Sequence, residues 1–378
     1  MPDPRPDDLA IALTYYSPYV SGLTNMARDL AEGLAARGRT VTVVTGHFDS
    51  GLPLKEEING VRVLRAPVLA RVGRGMISPQ LVALGRKTLG RARVASLQLP
   101  MLEAGAIATG LRTPLISTYH CDVTLPPGLV NDVQRVVVDA SNRLAMRHST
   151  AVTVTSEDYA RHSRMWPSIE PSMHVVAPLC PAPPPGRPNY RETDGPHIGF
   201  LGRIVREKGL EHLVRAFRAI ADPEARLLIG GDYSHVAGGS VVSQVRAAMG
   251  DDPRIRLLGF VPEERLGDFY ASLDVFTLPS VNAFEAFGIV QAVAMLAGVP
   301  VLSSDIPGVR QPVVQTGFGA LVPPADEPAL ARGLMELYTN PPDRTVGADR
   351  AHRAFSVANV LDSYEVLLDK AASTRPDR

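Results

Sequence analysis

Two cations beside a glycine-bracketed turn are the first feature of this chain that could do chemistry. The run His197-Ile-Gly-Phe-Leu-Gly-Arg-Ile-Val-Arg-Glu-Lys-Gly-Leu210 holds a strand-length apolar stretch ending at Gly202. Arg203 follows it, Lys208 comes five residues later, and Gly209 opens a helical pattern. A guanidinium fork and an ammonium beside a helix N-terminus suit a diphosphate. The same spacing also suits a solvated loop with ordinary surface charge. Composition sharpens the choice. Lys55, Lys87, Lys208 and Lys370 are the only lysines among 39 basic residues, and the other 35 are arginine, as high-GC coding would favour. A lysine inside a candidate motif therefore stands out.

Three further segments could meet a ligand. In 279–298 a strand runs into a Ser/Asn turn, and Glu285 stands just before a helix that begins near Phe287-Gly288. A carboxylate there is commonly a cap stabilised by the helix dipole. The functional reading is that the amides of Gly288, Ile289 and Val290 face a phosphate while Glu285 bonds a polar ligand group. Near the N-terminus, Gly22 sits in a strand-to-helix turn and permits close backbone approach, although glycine in such turns also serves packing. Strand 115–119 ends in His120-Cys121-Asp122. A histidine at the carboxyl end of a buried parallel strand is placed for a cleft role, and a hydrogen-bonded structural histidine is the competing reading.

Other chemistries lack their signatures. There is no Walker loop, no Gly-x-Gly-x-x-Gly after the first strand and no Gly-x-Ser-x-Gly elbow. No Asp-x-Asp pair offers to hold a divalent ion, and His120 with Cys121 has no second ligand pair.

The elements that must position these residues alternate between strand and helix. Strand-like runs fall at 9–15, 40–45, 61–66, 95–99, 115–119, 151–155 and 174–177, with helical patterns at 24–37 and 131–147. Their apolar runs are continuous, which suits parallel strands buried on both faces. The proline-rich stretch 181–196 has no periodicity and reads as a semi-rigid linker. Alternation then resumes, with strands at 198–201, 226–229, 255–258, 275–278, 299–303 and 319–322 and helices at 210–221, 241–249, 262–272, 289–297 and 328–338. Two doubly wound α/β domains facing across a cleft are expected, with ligands outside the carboxyl ends of the strands.

At 378 residues the chain has room for two or three domains, and 45% hydrophobic content is enough for sizeable cores. The net charge of +0 argues against a nucleic-acid-coating protein. Cys121 and Cys180 make no disulfide framework. The first residues lack a basic and apolar leader, and no apolar run is long enough to span a membrane, so a cytoplasmic protein is expected. Arg65, Arg71, Arg74, Arg86, Arg91 and Arg93 cluster in sequence. They read as solvated surface or as a contact for an anionic acceptor or lipid headgroup, that is, peripheral membrane contact and not a transmembrane anchor.

Together, Gly-Arg-x-x-x-x-Lys-Gly at 202–209, Glu-x-Phe-Gly at 285–288 and Ala294-Met-Leu-Ala-Gly-Val-Pro-Val301 resemble retaining glycosyltransferases of the GT-B fold, family 4, also described as glycosyl transferases group 1. The Gly22 loop, the helix–Arg-Gly–strand stretch at 30–44 and His120 match as well, so the resemblance covers nearly the whole chain. It implies an acceptor-binding Rossmann-like domain at 1–180, a linker at 181–196, a donor-binding Rossmann-like domain at 197–355, and a C-terminal helix in 356–378 that crosses back. It also implies that Arg203 and Lys208 hold the donor diphosphate in place of a metal. Glu285, Phe287, Gly288, Ile289 and Val290 would contact the donor, and Gly22 would line its phosphates. His120 would lie by the anomeric centre, with Tyr119 and Asp122 toward the acceptor. The donor would be a nucleotide-diphospho sugar such as a UDP or GDP sugar, with no separate cofactor. The acceptor would be a glycan, lipid or small molecule.

Two positions depart from the family pattern. Val293 stands where a second glutamate usually bonds the nucleotide ribose, and Ser21 stands where a first glycine is common. Losing the ribose bond would cost roughly 1–3 kcal/mol. Val293 therefore motivates a second reading, a nucleotide-sugar-binding partner protein with weak or no catalysis. A nucleotide-sugar epimerase on the same scaffold is a third, which the Arg203, Lys208 and Glu285 set disfavours.

Overall fold

The computed structural model describes residues 6–72, 75–125, 128–233, 239–282 and 285–374. The chain forms two compact units. One runs to Leu179 and takes in the chain from Val357 onward, and the other is Cys180–Ser356.

The first unit is built from β1 (Leu9–Ala12), α1 (Gly22–Ala36), β2 (Val41–Gly46), β3 (Lys55–Ile58), β4 (Val61–Ala66), the hairpin of β5 (Ala70–Val72) and β6 (Gly75–Ile77), and α2 (Pro79–Leu89). It continues through β7 (Val94–Leu99), α3 (Ala104–Ala108), β8 (Leu115–Tyr119), α4 (Leu129–Arg147), β9 (Ala151–Val154), α5 (Glu157–His162), α6 (Trp166–Ile169) and β10 (Met173–Val175). Eight strands make one sheet in the order β10-β9-β8-β7-β1-β2-β4-β3. Only the β3–β4 pairing is antiparallel. Every residue of β1, β2, β7, β8 and β9 is buried, which is why their apolar runs do not alternate. The charged sequence Lys55-Glu56-Glu57 suits β3 to the edge.

The second unit holds β11 (His197–Leu201), α7 (Leu210–Arg218), β12 (Arg226–Gly230), α8 (Val242–Met249), β13 (Ile255–Gly259), α9 (Glu263–Ala271) and β14 (Val275–Leu278). It closes with α10 (Ile289–Leu296), β15 (Val301–Ser304), α11 (Gln311–Thr316), β16 (Gly319–Val322), α12 (Glu327–Thr339) and α13 (Arg344–Phe355). Its sheet is wholly parallel, ordered β13-β12-β11-β14-β15-β16. The last helix, α14 (Val357–Ser373), returns to the first unit. There Val360, Leu361, Tyr364 and Leu368 join Leu30 and Leu34 of α1 over the sheet residues Ile11, Val43, Val94 and Ile116. Arg37 and Arg39 fasten α14 from outside, through Asp362 at 2.6 Å and Glu365 at 2.8 and 2.9 Å.

Three expectations change. Residues 181–196 are packed along α9 as part of the second unit. Arg187 N–H and Asn189 Nδ2 donate to Asp268 at 2.9 and 2.8 Å, and Tyr190 N–H donates to Ser272 Oγ at 3.0 Å. Proline removes donors without preventing the intervening N–H groups from finding partners. The stretch 68–84, where the sequence pattern places no element, holds the β5–β6 hairpin and the start of α2, whose Ser78 cap accepts from Leu81 N–H at 3.0 Å with Pro79 at the first turn. The arginine cluster is not one basic face. Arg65 is buried and donates to Pro53 O and Ser17 O, Arg86 donates to Ala106 O, and Arg93 pairs with Asp8. Arg74 lies outside the described residues.

Candidate functional site

β11 and β14 are neighbours at the centre of the second sheet, where the strand order reverses. In open α/β sheets this switch point is where the loops diverge and leave room for a ligand. The chain leaving β11 passes Gly202 and Arg203, makes a 3-10 turn over Arg206–Lys208, and enters α7 through Gly209. The chain leaving β14 passes Pro279 and Ser280, reaches Glu285, and enters α10 through Gly288. Val281 N–H donates to Glu207 O at 3.0 Å and ties the two loops together. Gly209 lies where they cross. Its φ is +63°, and a Cβ there would stand 2.2 Å from Pro279 O.

This crossing brings Lys208 and Glu285 together although 77 residues separate them. The Lys208 side chain is nearly buried, and its ammonium donates to Glu285 Oε2. Glu285 Oε1 accepts from Gly288 N–H at 2.9 Å. Burial pushes the Glu285 carboxyl up. The Lys208 ammonium, the Gly288 N–H and the field of Arg203 together outweigh burial and hold it below the usual carboxylate range. Arg203 itself is 56% exposed and only loosely paired with Glu207 at 3.8 Å. It can swing to a ligand at little cost.

The remaining residues of the 285–290 segment divide by role. Phe287 is core: its ring packs edge-on against Phe355 with centroids 5.6 Å apart. Its carbonyl accepts from Gln291 Nε2 at 2.9 Å, and the same amide donates to Val309 O at 2.6 Å. Gln291 thereby locks the turn that presents Glu285. Ile289 and Val290 form the first turn of α10, where backbone N–H groups have no intrahelical acceptor. The loop pair thus offers an anion a near-buried ammonium, an exposed guanidinium and a helix N-terminus.

In the first unit, His120 follows β8 and is 6% exposed. Its Nε2 lies 2.8 Å from Gln98 Oε1, while Gln98 Nε2 donates to Ser96 Oγ at 2.9 Å. The amide oxygen can only accept, so His120 Nε2 carries the proton and Nδ1 is a bare acceptor. That Nδ1 is buried with no hydrogen-bond partner among the described residues. Burial lowers the His120 pKa to about 4, so the ring is neutral at pH 7.

A pH prediction follows from this depressed value. Between about 4 and the ordinary 6.5 the unfolded chain binds the His120 proton and the folded chain does not. Stability contributed by the neutral ring is complete above 6.5 and falls away as the pH drops toward 4. Denaturant titrations of wild type and His120→Gln should diverge over that interval, the variant losing less stability. Superimposed profiles would remove the assignment.

Tyr119 and Asp122, expected toward an acceptor, are hydrogen-bonded into the loop after β8. Strand alternation turns Tyr119 to the face opposite His120. It is buried, and its hydroxyl donates to Asp122 Oδ1 at 2.6 Å. Ser163 donates to the same oxygen at 2.9 Å, and Asp122 N–H donates to Tyr159 OH at 2.8 Å. Gly22 is the exposed first residue of α1, with nothing within 4 Å of where a Cβ would stand. Ser21 is its N-cap, accepting from Thr24 N–H at 3.2 Å, so the departure from glycine gains a cap.

Gln98 and Gln291 were missed by sequence reasoning. Their signal was an amide side chain in an otherwise apolar buried run, Val-Ala-Ser-Leu-Gln-Leu for Gln98 and Ile-Val-Gln-Ala-Val-Ala for Gln291. Such a group needs hydrogen-bond partners: both ends of the Gln98 amide find them, and so does Gln291 Nε2, whereas the buried Gln291 Oε1 has none among the described residues. Another unread feature is a cavity of about 720 Å³ between the loops after β2 and β4, lined by His47, Phe48, Pro67, Leu69 and Arg71 among others. Phe48 also meets the stacked rings of Tyr15 and Tyr19. Among the described residues no group of three or more His, Cys, Asp or Glu side chains could hold a metal ion, and no helix is long and apolar enough to cross a membrane.

Comparison with known proteins agrees with this architecture. Residues 195–340 match the model of glycosyl transferases group 1, and residues 21–179 match that of the glycosyl transferase 4-like domain. The chain is 30% identical to a 2-deoxystreptamine glucosyltransferase of Streptomyces kanamyceticus over 65% of its own length and 66% of that protein's. It is 26% identical to a D-inositol 3-phosphate glycosyltransferase of Xylanimonas cellulosilytica over 100% of both chains. The fold is similar to that of Anabaena Alr3699/HepE in complex with UDP, with a TM-score of 0.72, 19% identity, and coverage of 96% of this chain and 99% of that one.

Proposed function

Because this chain belongs to the glycosyl transferases group 1 and is a glycosyltransferase with two Rossmann-like GT-B domains, we propose that it moves a sugar from a nucleotide-diphospho sugar to an acceptor hydroxyl, with retention and without a metal. The observation that carries this reading is the Lys208–Glu285 pair at the switch point of the second sheet. A diphosphate arriving there competes with Glu285 for the ammonium and recruits the exposed Arg203. The freed carboxylate then accepts from sugar hydroxyls. In the departing nucleotide the two cations balance the charge that builds on the diphosphate, which is the work a metal would otherwise do. With the leaving group and acceptor on one face of the sugar, a diphosphate oxygen takes the acceptor proton.

The UDP of the Anabaena complex supports a uridine nucleotide as the first donor to test. The names of the two relatives both contain a cyclitol, so a polyhydroxylated ring is the first acceptor class to test. Val293 is half-buried on α10 and has no acceptor for a ribose hydroxyl. It supports altered nucleotide recognition, or the second reading of a binding protein without turnover.

Thermal shift with nucleoside diphosphates, followed by product analysis with the matching sugar donors, tests both readings. A cognate diphosphate at a hundredfold excess over its Kd should stabilise the native chain by about 2.7 kcal/mol. Transfer to a cyclitol or slow donor hydrolysis should follow. Binding without either reaction across a broad donor panel would favour the binding protein. No shift with any diphosphate would overturn the proposal.

A further inference from the structure

Among the described residues of the first unit, helix α4 carries more of the exposed large hydrophobic side chains than any other element. Its inner side is firmly docked: Asn142 accepts from Met101 N–H at 3.1 Å, and Asp139 accepts from Arg164 at 2.6 and 2.8 Å. Its outer side shows Leu129, Val130, Val133, Val136, Val137, Ala140 and Leu144, with exposure from 38% at Leu144 to 87% at Leu129. The stripe is about 22 Å long at the helical rise. Helices that face only water carry polar residues there.

Val130, 73% exposed at one edge of the stripe, has Arg143 at its mirror position; the other side chains are ordered symmetrically about the Val136–Val137 peptide. Leucines stand at both ends, Val133 mirrors Ala140, and the two valines mirror each other. A two-fold contact needs a self-complementary patch, in which residue i meets j and j meets i. Charge follows the same symmetry. Asp132 and Arg143 lie on one flank of the stripe, and in an antiparallel helix pair like flanks meet. Asp132 then stands within about 3 Å, along the axis, of the level of Arg143 in a second copy. The present partner of Asp132 is Arg135, in an exposed pair at 3.4 Å that is cheap to exchange. An acidic residue beside the stripe is also out of place on a helix that lies on anionic lipid.

We infer that α4 pairs antiparallel with α4 of a second copy of this chain around a two-fold axis through Val136–Val137. The contact is one helix wide, so a reversible dimer is expected, not an obligate one. Arg164 also donates to Val123 O at 2.8 Å, so the pairing would brace the loop that follows His120.

Sedimentation velocity of the full chain from about 1 to 100 µM tests this, independently of donor chemistry. Wild type should shift from monomer to dimer over the range. Val137→Asp should raise the dissociation constant at least about tenfold with an unchanged melting temperature, since the position is exposed. Asp132→Arg and Arg143→Asp should each weaken the dimer, and the double exchange should restore it. The exchange keeps the test valid if Val137→Asp fails to fold. A wild type that stays monomeric, a Val137→Asp dimer as tight as wild type, or no rescue by the exchange would each overturn the pairing. So would a monomer that instead sediments with phosphatidylglycerol vesicles through Val137, which would assign the face to lipid.

Discussion

Lys208→Ala is expected to lower turnover by about 10²–10³-fold, the usual cost of removing one preorganised group that meets developing charge in a transition state. The structure adds a smaller effect on stability. Removing the ammonium leaves the Glu285 carboxylate with the Gly288 N–H, at 2.9 Å, as its one hydrogen-bond donor among the described residues. Stranding half of a buried pair is usually severe. Here the Glu285 side chain is 24% exposed and can rehydrate, so a loss of about 1–3 kcal/mol is expected. Arg203→Ala should leave stability unchanged, because the guanidinium is mostly in water, and should slow turnover by about tenfold. Rate constants at saturating donor, measured beside denaturation midpoints, separate the two effects. Unchanged turnover in both variants would sink the diphosphate assignment.

Gly209→Ala is expected to destabilise the second unit by about 3 kcal/mol or more and to cut activity by about 10²-fold. A non-glycine residue at positive φ costs roughly 1–2 kcal/mol by itself. At Gly209 the new Cβ would also stand 2.2 Å from Pro279 O, so the two loops must separate. Separation strains the Val281–Glu207 hydrogen bond and draws Lys208 away from Glu285. Displacements of about 1 Å in a reacting site are enough for losses of that size. Gly38→Ala is the control. Its φ is +86° with nothing within 4 Å of the added atom, so it should show the backbone cost alone. Equal effects of the two substitutions on chemical denaturation would disprove the steric part of the argument.

Much of the fold was legible because its causes are local. Buried parallel strands need continuous apolar runs, and β7, β8, β11 and β14 fall within a residue or two of where those runs stand. The helix start at Gly209 follows from glycine geometry that neighbouring residues decide, whereas Ser21, read only as a departure from glycine, is a cap that the structure revealed. The placement of Arg203, Lys208, His120 and Glu285 just after strands was readable for the same reason. The hairpin β5–β6 was not, since its short strands are stabilised by each other and carry little periodic signal.

What the sequence by itself determined is therefore the alternation of elements, two α/β units, and a short set of polar residues at strand ends, one of them a rare lysine. Partnership was left to the tertiary structure. It made Lys208 and Glu285 an ion pair across 77 residues, turned Tyr119 inward, set the His120 tautomer through Gln98, and left the α4 stripe uncovered. The physical reason is that strand and turn preferences act over a few residues. Which strands become neighbours, and so which side chains meet, depends on how the whole sheet buries its faces.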